Sequence, residues 1–148
     1  MLVVDTNIVA SLLLKGPFTE QALALYEADP DWRSEAFLMT ELANVLATQI
    51  KLRDMPLPDA LNLLSRGAAL MADGLVEITH EAALTLAAQR EVSAYDSRYL
   101  VVAQRLQTRL VTEDAKLRKK APDLTCSIAD ALAATGISKP PSPGGNPK

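Results

Sequence analysis

The sequence of 148 residues predicts an α/β fold in which helices wrap a mostly parallel sheet of five strands. Short segments of strand character alternate with longer segments of helical period, which is the pattern of successive βαβ units. The first segment, Leu2–Val4, is apolar at consecutive positions. A strand that is covered on both faces needs this pattern, so we expect Leu2–Val4 to lie at the centre of the sheet.

The remaining elements follow from apolar spacing and from residues that begin or end helices. Between residues 37 and 52, apolar positions recur at three- and four-residue steps, as on one face of a helix. Asp59 is expected to cap the next helix, and Ser93 with Asp96 forms the pattern of a capping box. Gly136 is expected to end the last helix. The predicted strands are residues 2–4, 32–34, 75–78, 109–112 and 124–127, and the predicted helices are residues 6–14, 19–29, 37–52, 59–72, 80–90, 93–106, 114–120 and 128–134.

The composition is that of one globular domain, because 49% of the residues are apolar and 22% are charged. The single cysteine, Cys126, cannot pair within the chain or build a thiolate metal cluster, which indicates a reducing compartment. No apolar run is long enough to span a membrane, and no basic region precedes an apolar one at the amino end. We therefore expect a cytoplasmic protein without a membrane segment.

The carboxyl end differs in composition from the rest of the chain. Residues 138–148 hold four of the nine prolines and two of the six glycines. Such a segment cannot bury enough apolar surface to fold, so we predict a folded domain over residues 1–137 and a disordered tail over residues 138–148.

Several acidic residues are expected at one edge of the sheet. Function in an open parallel sheet concentrates at the carboxyl ends of the strands, where the strand order reverses. The acids that can reach this edge are Asp5 after the first strand, Glu41 in the helix after the second strand, Asp96 in the first turn of the helix before residues 109–112, and Asp114 after that strand. Asn7 can support them, and so can Asn44, which shares a helical face with Glu41.

Four carboxylates in one pocket repel one another and persist together only when cations compensate their charge. Carboxylate oxygens are hard ligands that select Mg²⁺ or Mn²⁺, whereas the chain has only one His and one Cys for softer metals. A metal-bound water is then the hydrolytic chemistry that the sequence supports, because no nucleophilic triad and no Gly-rich phosphate loop is present.

A structural interpretation of the same acids stays open on spacing alone. Asp5 and Asp114 can be helix N-caps, Asp96 can be the partner of Ser93 in a capping box, and Glu41 can be a solvated helix charge. On that interpretation, the protein is a non-catalytic α/β interaction module.

Four ordered segments of the chain resemble the PIN-domain ribonucleases, and especially the VapC-type toxins of type II toxin–antitoxin pairs. The segments are Val3 to Asn7, Thr40 to Leu46, Tyr95 to Ala103 and Leu110 to Leu117. The resemblance covers residues 1–135 and implies a PIN-like three-layer α/β/α fold. It also implies that Asp5, Glu41, Asp96 and Asp114 bind metal, with Thr112 assisting them.

The same resemblance implies an activity and partners. Members of this family cleave RNA endonucleolytically with Mg²⁺ or Mn²⁺, commonly as homodimers, and are held inactive by a small antitoxin, here a VapB-like protein. The net charge of −3 excludes RNA binding by a broadly basic surface, but a local basic rim remains possible. Lys116, Arg118, Lys119 and Lys120 follow Asp114 and can guide a phosphate backbone, or they can simply complement a helix C-terminus. Trp32 and Phe37 are assigned to the core or to an interface, and no platform for stacking bases is expected.

Overall fold

The computed structural model describes residues 1–136, and the predicted boundary at residue 137 and the predicted tail lie outside them. Its strands are β1 (Leu2–Val4), β2 (Trp32–Glu35), β3 (Leu75–Val76), β4 (Leu110–Val111) and β5 (Thr125–Cys126). They form one sheet in the order β3-β2-β1-β4-β5, and every neighbouring pair is parallel. The predicted fold class and the central place of the first strand are confirmed.

The described residues form eight helices, of which seven lie between strands and the last follows β5. They are α1 (Thr6–Leu13), α2 (Thr19–Ala28), α3 (Leu38–Arg53), α4 (Leu57–Leu70), α5 (His80–Arg90), α6 (Ala94–Arg105), α7 (Ala115–Lys120) and α8 (Ile128–Ala134). None of the helices within residues 1–136 has the length and apolarity needed to cross a membrane.

The start of α4 differs from the prediction. Pro56, not Asp59, is the N-cap residue, and Pro58 follows in the first turn. Proline fits these positions because the first helical N–H groups have no intrahelical partner, so the missing donor costs nothing there. Asp59 is instead an acid of the first turn, where the helix dipole favours its charge.

The helices form two layers around the sheet. The chain moves from β1 through β2 to β3 in one direction and then crosses to β4 on the other side of β1. Because crossovers between parallel strands are right-handed, this reversal places α5 and α6 on the opposite face, whereas α8, which follows β5, contacts α2 of the first layer. In agreement, α1 contacts α2, α3 and α4, whereas α5 packs on α6, which contacts β1, β2 and β4.

The register of the central strands determines which residues emerge at the functional edge. Val4 lies opposite Val111, and both side chains are fully buried. Asp5 and Thr112 therefore leave the sheet side by side, at the place where the strand order reverses between β1 and β4.

On the side of β2 that faces β3, the backbone of Gly74 lies close to the backbone of β2. The Ser34 N–H donates to the carbonyl oxygen of Gly74 at 2.9 Å. A Cβ atom at Gly74 would lie 2.1 Å from the carbonyl oxygen of Trp32, so the backbone can approach only because this residue is glycine. The Trp32 side chain is buried, as the sequence predicts.

Candidate functional site

A cavity of about 600 Å³ opens at the carboxyl ends of β1 and β2. All four acids singled out in the sequence line it, together with both supporting amides: Asp5, Glu41, Asp96, Asp114, Asn7 and Asn44. No Lys, Arg or His is among its lining residues in the described part of the chain. The cavity therefore concentrates four carboxylates, and none of the basic side chains that the structure describes lies among them.

Asp5 is the most deeply buried of these acids, with 8% of its surface exposed. Its Oδ1 accepts the Ile8 N–H at 3.1 Å, and its Oδ2 accepts the Thr112 hydroxyl at 2.5 Å. Burial raises the pKa of Asp5 to about 6, against the lowering effect of these two hydrogen bonds. The charges of Glu41 and Asp96 raise this pKa further, so the carboxylates interact across the cavity.

Thr112 is fully buried and does not line the cavity. Besides donating to Asp5, its hydroxyl oxygen accepts the Asp114 N–H at 3.1 Å. Thr112 thus links Asp5, which follows β1, to Asp114, which follows β4. These two acids line the cavity, whereas the Thr112 side chain does not.

Glu41 is held by two hydroxyl groups. Its Oε1 accepts a hydrogen bond from Thr6 at 3.2 Å and a second one from Tyr99. The Thr6 and Tyr99 oxygens lie 2.8 Å apart. Burial, followed by the bond to Glu41, raises the pKa of the Tyr99 phenol, so Tyr99 remains a donor at all ordinary pH values.

The sequence does not predict Thr6 and Tyr99 as site residues, because Tyr99 fits the apolar face of its helix. Two sequence signals point to them. Tyr99 follows Asp96 by three residues, which places both on one side of a helix, and Thr6 directly follows Asp5.

Asp96 and Asp114 approach the cavity from two helix starts. Asp96 is half-buried in the first turn of α6, and its N–H donates to the Ser93 hydroxyl at 3.0 Å. Burial raises the pKa of Asp96, with a further rise from the charge of Asp114, although the Ser93 hydroxyl opposes this. Asp114 is the exposed N-cap of α7, and its Oδ1 accepts the Leu117 N–H at 3.0 Å.

The capping interpretation is therefore correct for part of the set. Asp5 and Asp114 both cap helices through Oδ1. Glu41 is not a freely solvated helix charge, because Thr6 and Tyr99 donate to its Oε1 and the residue lines the cavity. Capping thus accounts for the hydrogen bond of one carboxylate oxygen in Asp5 and of one in Asp114. It does not account for the placement of Glu41 in the cavity.

The PIN-domain family model matches residues 2–122. The chain belongs to the PIN-domain family. This family generally consists of metal-dependent nucleases. Among solved structures, PAE2754 from Pyrobaculum aerophilum is similar, with a TM-score of 0.66 and 18% identity over 90% of this chain and 95% of that one. At this identity, the likeness shows the fold alone. A comparison with curated proteins finds no match.

The donor set of this PIN domain fits a hard divalent cation. Carboxylate, amide and hydroxyl oxygens line the cavity, whereas the described residues of its lining include neither His nor Cys. Within residues 1–136, no three His, Cys, Asp or Glu side chains converge closely enough to form a ready-made metal cage. Mg²⁺ does not require such a cage, because it keeps several waters and binds through one or two carboxylates. The residues present are therefore suited to Mg²⁺ or Mn²⁺, and burial of Asp5 gives a cation a favourable partner.

One buried acid near the site was missed by the sequence. Glu35 ends β2, and its carboxylate accepts the Phe37 N–H at 2.7 Å and the Ile78 N–H at 3.4 Å. Arg98 pairs with it at 3.3 Å and is not among the residues that line the cavity. β3 ends at Val76 rather than at residue 78, because its partner β2 ends at Glu35, which lies opposite Val76.

The basic residues of α7 do not line the cavity. Arg118 donates to the Thr112 carbonyl oxygen at 2.7 Å and lies 3.5 Å from Glu113. Lys120 lies 3.8 Å from Glu91, whereas Lys116 and Lys119 are exposed. The predicted basic rim therefore divides into one arginine that supports the loop before α7 and lysines that face solvent.

Proposed function

We propose that this PIN domain is a Mg²⁺- or Mn²⁺-dependent endoribonuclease, and that it is the VapC-type toxin of a toxin–antitoxin pair. One observation carries the proposal: four carboxylates line one cavity at the point where the strand order reverses, and no basic side chain of residues 1–136 lines it with them. The opposing charges must then come from bound cations, which the PIN family generally uses.

Each residue has a distinct task in this proposal. Asp5, Glu41, Asp96 and Asp114 would hold the metal, either directly or through its bound waters. The bound cation supplies an activated water and stabilises the leaving oxygen of the phosphodiester. Thr112 and the Ile8 N–H orient Asp5, while Tyr99 and Thr6 orient Glu41.

The polar residues around the acids bind the substrate. Asn7 and Asn44 are exposed amides on the cavity wall and can donate to phosphate oxygens. Lys116 and Lys119 attract the RNA backbone toward Asp114 through solvent-exposed charges, while Arg118 and Lys120 contribute to the same basic rim.

Cleavage of an RNA panel with Mn²⁺ tests the activity. Wild-type protein should produce internal cuts, and excess EDTA should abolish them. The Asp5→Asn variant should be inactive, whereas Asp59→Asn, an exposed first-turn acid outside the cavity, should cut like the wild type. Cleavage by Asp5→Asn, or cleavage that survives EDTA, contradicts the proposal.

The toxin role has a test of its own. Expression of the wild-type chain in bacteria should arrest growth, and expression of Asp5→Asn should not. Co-expression of a short open reading frame immediately upstream of the gene should restore growth and yield a complex with the VapB-like product. We expect the uncomplexed protein to sediment as a homodimer. If the cells grow normally although the protein cleaves RNA, the protein is a ribonuclease but not a toxin.

A non-catalytic interaction module remains a second candidate, because Asp5 and Asp114 do cap helices. Asn caps a helix about as well as Asp but brings no charge. For a module, Asp114→Asn should therefore change nothing. For the nuclease, it should retain thermal stability in EDTA but lose both cleavage and the rise in melting temperature that Mg²⁺ gives to the wild type.

A further inference from the structure

The sequence predicts no platform for stacking bases, but in the structure two aromatic rings stack at the wall of the carboxylate cavity. The centroids of Phe37 and Tyr95 lie 5.4 Å apart, with 19° between the ring planes. Both residues line the cavity, and Tyr95 is 62% exposed. An aromatic side chain exposed to this degree contributes little to a core, so its ring is available to a ligand.

A buried ion pair between Glu35 and Arg98 holds Phe37 of the aromatic pair in position. Glu35 fixes the Phe37 backbone through its N–H, and the Arg98 guanidinium lies 5.8 Å from the Phe37 ring centroid. The Glu35 and Arg98 side chains are only 3% and 15% exposed, and Arg98 also contacts His80 Nδ1 at 2.6 Å. Phe37 is therefore held in place before any ligand arrives, which reduces the entropy lost on binding.

Tyr95 is next to a proposed metal ligand along the chain. Tyr95 and Asp96 are consecutive residues of the first turn of α6, and both line the cavity. A nucleotide carries its base and its phosphate on one sugar. A phosphodiester at the carboxylates consequently brings a base of the same strand close to the Tyr95 ring.

We propose that the Phe37–Tyr95 pair is a stacking site for an unpaired base of the RNA, an inference that rests on the proposed function. Bases within a duplex are already stacked on one another, so only a single-stranded segment can present a free face. Every base has such a face, so the contact favours unpaired RNA without selecting a particular base. The cavity then acts on single-stranded regions and loops.

Binding is tested with a single-stranded oligoribonucleotide that carries one 2-aminopurine, whose fluorescence falls when it stacks. Ca²⁺ replaces Mn²⁺ in this arm, and a gel verifies that the RNA stays intact. Tyr95→Ala should weaken the Kd about tenfold and remove the quenching, since base–aromatic stacking is worth about a factor of ten in affinity. Tyr95→Trp should retain both. Leu84→Ala removes a side chain that is 67% exposed outside the cavity and should behave like the wild type.

Cleavage with Mn²⁺ forms the second arm. Tyr95→Ala should raise KM about tenfold on the single strand, in line with the lost stacking. A duplex of the same sequence should be cut poorly by the wild type and by Tyr95→Ala alike.

The outcomes separate this inference from the proposed function. If Tyr95→Ala and Leu84→Ala cleave the RNA equally well, with equal Kd and equal quenching, the stacking site is overturned. The proposed nuclease activity is then unaffected. Binding that depends on Tyr95 without any cleavage supports the stacking site and contradicts the nuclease. A wild-type protein that does not bind the single strand overturns the stacking site. A change in sedimentation mass for Tyr95→Ala with an unchanged Kd also overturns it, because Tyr95 would then contact a protein.

Discussion

Replacing Asp5 by Asn should stabilise the metal-free protein above pH 6. The pKa of Asp5 is raised from 3.8 to about 6 in the folded chain, so the folded state holds a proton that the unfolded state has released. The part of the wild-type stability that depends on this proton is therefore fully present below about pH 4. It is lost as the pH rises to about 6, and the stability then stays constant at higher pH. A shift of this size corresponds to about 3 kcal/mol of destabilisation at neutral pH.

Asparagine can keep most of the hydrogen bonds of Asp5. Its Oδ1 still accepts the Ile8 N–H, and its Nδ2 can donate to Thr112, whose oxygen has a second lone pair beside the Asp114 N–H. The Thr112 hydroxyl hydrogen then loses its acceptor, which costs about 1 kcal/mol. A net gain of about 2 kcal/mol remains, or roughly 5–10 °C in melting temperature for a domain of this size.

Urea denaturation in EDTA between pH 4 and pH 8 measures this effect. The difference in unfolding free energy between Asp5→Asn and wild type should grow through pH 4 to 6 and then stay constant. Asp59→Asn should show no comparable rise. Adding Mg²⁺ should stabilise the wild type and not Asp5→Asn, because only the wild type carries the buried charge. A difference that is independent of pH, or a wild type that is the more stable protein at pH 8 in EDTA, refutes the reasoning.

Two other substitutions test the support of the site and of the sheet. Tyr99→Phe removes a donor to Glu41 while keeping the ring, so kcat with Mn²⁺ should fall about tenfold, and circular dichroism should show an unchanged fold. Gly74→Ala should lower the unfolding free energy in urea by about 1–3 kcal/mol, because its Cβ would meet the Trp32 carbonyl oxygen. Gly16→Ala, with no heavy atom within 4 Å of the new Cβ, should stay close to wild type.

The fold and the acidic lining of the cavity could be predicted from local signals. The apolar run of Leu2–Val4 indicates a central strand, and a residue directly after such a strand must emerge at its carboxyl end. Asp5 could be placed for this reason. Glu41 could be placed because it follows the second strand on a helix whose neighbouring positions, Leu38 and Leu42, are fully buried.

The residues that hold the acids in place depend on contacts distant in sequence. Tyr99 fits the apolar periodicity of α6 perfectly well, and only the folded chain shows that its hydroxyl meets Thr6 and Glu41. The stacking of Phe37 on Tyr95 is of the same kind, since each belongs to a different helix start. Periodicity identifies the buried face of an element but not the partner that it meets there.

The same topology explains why capping and metal binding could not be separated by spacing. A strand that leads into a helix places an acid at the helix N-terminus, where it caps, and at the carboxyl edge of the sheet, where ligands bind. Asp5 differs from an ordinary cap in the direction in which its pKa is shifted. A cap near a positive helix end is favoured in its charged form, but burial and neighbouring carboxylates raise the pKa of Asp5. Asn or Ser could cap the helix without burying a charge, so capping alone does not account for an acid at this position, whereas the proposed cation would account for it.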